Sequence, residues 1–187
     1  MKIFFAGAQG TGKSTLVEEL GNFLPEYEQK ESSTRFFLKN KEDQHFSSPG
    51  YQEFELRESL YCLNNYVNTN NFISCRSIID LYAYLFDALS KCTDTYISIF
   101  IEKMISTIDL YADLCIKDAI YFYLPIEFEI NSNNPLRDTS KVFQKEIDKQ
   151  MRYSSTLISS KGGKIYTITG TVEERIEKIK KILKNYI

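Results

Sequence analysis

Several kinds of chemistry are argued against by what the chain has little of. Its four cysteines, Cys62, Cys75, Cys92 and Cys115, are scattered and form no C-x-x-C pair. That spacing suits neither a metal site nor a disulfide framework, and reduced thiols in a cytoplasmic protein are the expectation. The one histidine, His45, lies in a polar stretch ending Ser47-Ser48-Pro49-Gly50, a setting for a surface-loop residue and not for a catalyst. No apolar run is long enough to span a bilayer, so no membrane partner is expected. Basic and acidic residues nearly balance, 23 against 25, for a net charge of −2. A nucleic-acid partner is therefore not expected, because phosphate backbones are met by clustered positive charge. There is no internal repeat and no low-complexity linker, and 187 residues suit one domain, 1–187, with a substantial core.

What the chain does have is a concentrated signal near its start. An apolar run, Ile3-Phe4-Phe5-Ala6, reads as a short buried strand and leads into Gly7-Ala8-Gln9-Gly10-Thr11-Gly12-Lys13-Ser14. A helical stretch follows, with Leu16, Val17 and Leu20 on one side. Strand, G-x-x-x-x-G-K-S and helix in this order form a phosphate loop. Its glycines let backbone N–H groups wrap a polyphosphate, and the following helix adds its positive end. Lys13 is placed to reach the β- and γ-phosphates and the Ser14 hydroxyl to ligate a metal. ATP and Mg²⁺ are the expected cofactors, with Gly7, Gly10, Thr11, Gly12, Lys13, Ser14 and Thr15 around them. Because the loop begins at Gly7, residues 1–13 do not read as a leader.

The rest of the chain alternates strand and helix. Strands are predicted at Tyr27–Glu31, Phe72–Cys75, Ala119–Leu124 and Ile165–Ile168, and helices from Arg35 to Asn40, Tyr51 to Val67, Ser77 to Ser90, Asp94 to Asp113, about Thr139 to Ser160, and from Thr171 onward. The second of these helices is expected to bury Phe54, Leu56, Leu60, Tyr61, Leu63 and Val67. The third is apolar nearly all round, apart from a polar stripe of Arg76, Asp80, Tyr84 and Asp87 that must find partners. Thr171 and Glu174 form a capping box, with Glu174–Lys178 and Glu177–Lys181 as expected pairs. This order implies an α/β fold, a parallel sheet of about five strands between helical layers, with ligands at the strands' C-terminal ends.

The order of parts resembles the P-loop nucleoside and nucleotide kinases, above all the small phage-type kinases related to thymidylate kinase and the deoxynucleoside kinases. Glu31-Ser32-Ser33-Thr34-Arg35 stands where such kinases place an acid followed by an arginine. Cys75-Arg76-Ser77-Ile78-Ile79-Asp80-Leu81-Tyr82-Ala83-Tyr84 resembles their D-R-S-x-x-D-x-x-A-Y segment. Leu124-Pro125-Ile126-Glu127-Phe128, then Leu136-Arg137-Asp138, resembles the strand running into their lid. The resemblance implies a three-layer α/β/α kinase fold with a helical lid at about 126–152, and host cytoplasm as the location if the chain is phage-encoded. One position departs from it, since Cys75 stands where the family's metal-assisting acid is expected.

The roles follow from the chemistry of phosphoryl transfer, which asks a site to position groups and neutralise charge. Lys13, Glu31, Arg76 and Arg137 are the catalytic candidates, with Glu31 orienting or deprotonating the acceptor hydroxyl. Arg35, Arg76, Asp80 and Arg152 are the substrate candidates. Arg76 also reads as an ion-pair partner of Asp80 one turn on, and Arg35 as a solvated helix charge. Lys141, Lys145 and Lys149 read as a solvated face. The expected acceptor is a small nucleotide, a deoxynucleoside monophosphate, because two arginines match a phosphate. A nucleoside acceptor and a P-loop NTPase or nucleic-acid kinase are the rivals, and a homodimer is left open.

Overall fold

The computed structural model describes residues 1–30, 33–48, 50–130 and 138–187, leaving out the side chains of Ser33 and Arg35. Glu31 and Arg137, the Arg35 side chain, and residues 131–137 of the expected lid therefore lie outside the described residues. Five parallel strands, β1 (Lys2–Ala6), β2 (Glu28–Lys30), β3 (Phe72–Ser74), β4 (Ala119–Tyr123) and β5 (Lys164–Thr167), form one sheet in the order β2-β3-β1-β4-β5. The chain lays β2 and β3 on one side of β1, then crosses to lay β4 and β5 on the other. The crevice beside β1 is thus the topological switch point, where ligands of open α/β sheets bind.

Helices α1 (Lys13–Phe23), α2 (Ser33–Phe37), α3 (Tyr51–Asn68), α4 (Ile78–Lys91), α5 (Thr95–Ile116), α6 (Lys141–Ser160) and α7 (Val172–Leu183) connect and cover the strands. β1 is buried along its whole length, as a strand covered on both faces must be. Its side chains alternate between two cores. Ile3 and Phe5 join Leu16, Leu20, Ile176 and Ile179 under α1 and α7. Phe4 joins Tyr66, Phe72 and Tyr121, with Ile78, Ile108 and Met151 from α4, α5 and α6. Its ring lies edge-on to Tyr66 at 4.7 Å and stacks on Tyr121 at 5.0 Å, offset arrangements that aromatic quadrupoles favour. The layers are those expected, α/β/α.

Two local readings are corrected. α3 buries Tyr51, Phe54, Glu55, Glu58, Ser59, Cys62, Leu63 and Tyr66, whereas Leu56, Leu60 and Val67 are 41%, 55% and 39% exposed. The helix is turned so that a stripe carrying two carboxylates faces inward, because Glu58 has a cationic partner there, Arg76. On α7 the capping box forms as read. Lys178, however, donates to the Thr169 carbonyl, and Glu177 pairs with Lys180 in place of Lys181. The loop before the helix offers a backbone acceptor that the i, i+4 rule does not see.

Candidate active site

Between β1 and α1 the chain makes the phosphate loop. Gly7 has φ 154°, and a Cβ on it would sit 2.6 Å from the Leu124 carbonyl oxygen, so a side chain has no room where β1 leaves the sheet. The buried Thr11 hydroxyl donates to the Ala8 carbonyl at 2.9 Å and closes the loop across its neck. Lys13 Nζ donates to the carbonyl oxygens of Gly7 and Ala8. Gly10, with φ 80°, lies near the loop's tip. Gly12 precedes α1 with φ 91° and ψ 12°; no side chain caps the helix, and no acidic residue stands in its first turn. The opening amides of α1 and its positive end are therefore open to an anion. Ser14 and Thr15 are exposed on that turn.

The loop is braced from two helices. Gln144 of α6 is buried and donates from Nε2 to the Gln9 carbonyl at 2.7 Å. Arg175 of α7, only 1% exposed, donates from Nη1 to the Thr11 carbonyl at 2.7 Å and from Nη2 to Glu127 Oε2 at 2.6 Å. Neither residue was expected here. The signal for Arg175 was nonetheless present, since it falls on the same helical face as Val172, Ile176 and Ile179.

A second cluster stands where β3 ends. Arg76 donates from Nη2 to Thr34 Oγ1 at 2.5 Å, pairs with Glu58 at 3.3 Å and Asp80 at 3.6 Å, and lies 5.1 Å from the Tyr84 ring centroid. Thr34 in turn donates to Glu58 at 2.9 Å. Burial works against the Arg76 charge, but Glu58, Tyr84 and Asp80 more than offset it and hold the guanidinium pKa above its ordinary value. Asp80 is fully buried and caps α4, accepting from Ser77 N at 3.0 Å and Ser77 Oγ at 2.7 Å. Burial pushes its carboxyl up, against the pull of Lys13 and Arg76. Burial also raises the Tyr84 phenol to about 12 and, with Glu58 beside it, lifts the Glu55 carboxyl well above its usual range. The stripe of Arg76, Asp80, Tyr84 and Asp87 thus finds its partners, with Asp87 held by Lys91 at 2.7 Å.

Arg76 pairs with Asp80, and the charge of Lys13 is near enough to act on the same carboxyl. Arg152 does not join them: its guanidinium lies on Asp148 at 2.9 Å and is mostly exposed. His45, read as a loop residue, is partly buried, 3.1 Å from Asp138 and 4.9 Å from the Phe143 ring. It ties the segment before α3 to the start of α6. Cys75 is buried in the apolar cluster under α1 with Leu16, Val17 and Ile73, a place that suits a thiol and is costly for a carboxylate. Among the described residues, no group of three or more His, Cys, Asp or Glu could hold a metal by itself. The donors present are the Ser14 hydroxyl and the buried Oδ1 of Asp80, which makes no hydrogen bond and faces Arg76 Nη1 at 3.6 Å. They fit a magnesium ion that takes its other ligands from phosphates and water.

No protein-family model matches the chain, and no curated protein is similar enough to stand as a relative. Solved structures do match. A deoxyadenosine kinase from M. mycoides, with products dCMP and a flexible dCDP bound, superposes with a TM-score of 0.72 over 100% of both chains at 16% identity. The fold is that of the nucleoside and nucleotide kinases. A thymidylate kinase from Candida albicans matches with a TM-score of 0.65 at 16% identity, over 98% of this chain and 91% of that one. The Bacillus subtilis YorR protein, in complex with phosphorylated GDP, matches with a TM-score of 0.55 at 18% identity, over 100% and 99%. Among the described residues, no helix is long and apolar enough to cross a membrane.

Proposed function

We propose that the chain transfers the terminal phosphoryl group of ATP to the 5′-hydroxyl of a deoxynucleoside. The observation that carries this reading is the setting of Arg76, held between Glu58 at 3.3 Å and Asp80 at 3.6 Å beside the phosphate loop. A hydroxyl can accept from the guanidinium and donate to a carboxylate at once. A phosphate brought to the same guanidinium meets two carboxylates, and like charges about 4 Å apart repel by about 4 kcal/mol at an effective dielectric constant of about 20.

In the reaction, Lys13 leaves the Gly7 and Ala8 carbonyls for the β- and γ-phosphates, while the amides from Gly7 to Thr15 cradle them. The acceptor oxygen bonds to the γ-phosphorus as the bond to the β–γ bridging oxygen breaks, and ADP leaves. The hydroxyl proton passes to a carboxylate, for which Glu31, following β2, is the proposed base, and Arg137 is the proposed lid arginine. The Ser14 hydroxyl would hold magnesium, which would neutralise charge on the phosphates when bound. The segment 126–152 is the proposed lid, closing over ATP only outside its core-packed part, since α6 is anchored in the core by Ile147 and Met151; Gln144 already reaches the loop from it. The four cysteines are free, which suits a cytoplasmic site of action. Leu56 and Leu60 of α3 and Leu110 and Leu114 of α5 are exposed on helices that pack together, which supports a homodimer; sedimentation tests it.

The second reading is a deoxynucleoside monophosphate acceptor. Thr34 of α2 touches Arg76, Arg35 follows it in sequence, and a pair of arginines would match an acceptor phosphate. A comparison of kcat/KM for matched nucleosides and monophosphates, in the wild type and in Arg76→Ala, decides between them. Nucleosides are expected to be preferred, and a clear advantage for monophosphates would replace the first reading with the second.

A further inference from the structure

The buried guanidinium of Arg175 has no place in the steps above, yet it touches the phosphate loop. It enters from α7, behind the loop, and is the largest fully buried side chain among the described residues. Burying a guanidinium is costly, and an apolar side chain of similar volume would fill the space without that cost. Its contacts are specific. Nη1 donates to the Thr11 carbonyl at 2.7 Å, and Nη2 to Glu127 Oε2 at 2.6 Å. Glu127 Oε2 also accepts from Gly170 N at 2.9 Å, and the guanidinium carbon lies 5.0 Å from the Phe128 ring centroid. One side chain thus joins the phosphate loop to the loop after β4 and, through Glu127, to the loop after β5.

The peptide that Arg175 holds is the one between Thr11 and Gly12. A trans peptide is planar, with its C=O and N–H pointing in opposite directions. A Thr11 carbonyl drawn back toward α7 therefore turns the Gly12 N–H to the opposite side, toward the loop's hollow. Such a peptide can flip by changing ψ of Thr11 and φ of Gly12, and glycine makes the flip cheap because positive and negative φ are about equally open to it. Gly12 stands at φ 91°. Something outside the loop has to select this orientation, and the only described side chain seen on that carbonyl is Arg175.

We propose that Arg175 is a positioning residue for the triphosphate, holding the Thr11 carbonyl outward so that the Gly12 N–H donates to the bound phosphates. The proposal rests on the reading of the loop as an ATP site and is independent of which acceptor is used. Glu127 fixes the far side of the guanidinium and so shares the effect.

The test measures Mg·ATP affinity by calorimetry for the wild type, Arg175→Met, Arg175→Lys and Glu127→Gln. The Gly12 amide is followed in protein labelled with ¹⁵N-glycine, where the chain's 8 glycines give few signals. Arg175→Met is expected to bind ATP about tenfold to a hundredfold more weakly, the worth of a charge-assisted hydrogen bond. It should also lose the downfield shift of the Gly12 proton on ATP addition, while the acceptor KM at saturating ATP stays nearly unchanged. Arg175→Lys, which keeps one donor, is expected to recover part of both. A folded Arg175→Met with normal ATP affinity and a normal Gly12 shift overturns the proposal. So does an Arg175→Lys no better than Arg175→Met, which would leave packing as the role. If Arg175→Met does not fold, Glu127→Gln decides: weaker ATP binding with a reduced Gly12 shift supports the proposal, and wild-type values overturn it. A wild-type protein that binds no ATP refutes the nucleotide site itself, a different failure.

Discussion

Replacing Arg76 with Met should cost stability in a pH-dependent way. Arg76 is 11% exposed at its side chain, and its carboxylate neighbours Glu58 and Asp80 are 5% and 0% exposed. The substitution keeps most of the volume but takes the cation from both carboxylates. Breaking a buried pair by removing one partner costs about 3–5 kcal/mol, a large share of the roughly 5–15 kcal/mol that holds a domain together. For a chain of this size that is a fall in Tm of about 6–20 °C. The sign with pH follows from the carboxyls. Burial already raises Asp80, and without Arg76 it rises further. An acid whose folded pKa is raised adds no penalty below its unfolded pKa. The penalty grows as pH rises from the unfolded to the folded pKa and is complete above that. The deficit of Arg76→Met is therefore largest at neutral pH and shrinks on acidification. Urea unfolding of both proteins at pH 7.5 and pH 5, read at constant m, measures it. Adding Glu58→Gln should return part of the loss. A deficit under about 1 kcal/mol at neutral pH, or one that grows toward acid, would refute the reasoning.

Other outcomes are expected from the same geometry. Lys13→Met should lower kcat at least about a hundredfold with an unchanged circular dichroism spectrum, since its ammonium bonds loop carbonyls and not the core. Phe4→Ala, which empties the ring site between Tyr66 and Tyr121, should cost about 3–5 kcal/mol in denaturant unfolding. The Arg175 hydrogen bond, above all, holds the Glu127 carboxyl below the usual range, so its charged form persists under mild acid. The part of the acid loss of ATP affinity that Glu127 causes should then fall below the ordinary carboxylate range, and Glu127→Gln, compared with the wild type at each pH, should lack it. Hydrogen exchange across residues 138–152 should slow when ATP and acceptor are added together, and indifference to them would count against the lid.

The layers were legible because each strand and helix advertised itself locally. Ile3-Phe4-Phe5-Ala6 is apolar on both faces, which only a central, doubly covered strand requires. The capping box at Thr171 and Glu174 marked the start of α7, and Lys161-Gly162-Gly163 marked the end of α6. What local pattern could not give was the rotation of α3. Leu56, Leu60 and Val67 satisfy helical spacing as well as Tyr51, Phe54, Cys62 and Tyr66 do. The choice between the two faces is made by a partner far away in sequence, Arg76 at the end of β3, which draws Glu58 inward.

The same cause explains which parts of the site were missed. The phosphate loop is a contiguous motif and could be read directly; its braces are not contiguous with it. Gln144 and Arg175 meet the loop from 135 and 164 residues away, and at that separation a hydrogen bond leaves no periodic trace. It does leave a different trace. A charged residue on the apolar face of an amphipathic helix is expensive unless a built partner awaits it. Glu55 and Glu58 share a face with Tyr51 and Cys62, and Arg175 shares one with Ile176 and Ile179. The stripe of Arg76 and Asp80 needs partners on this ground, and the structure supplies them. Applied to α3 and α7 as well, the rule singles out Glu55, Glu58 and Arg175, and the last two are the side chains that hold Arg76 and the phosphate loop in place.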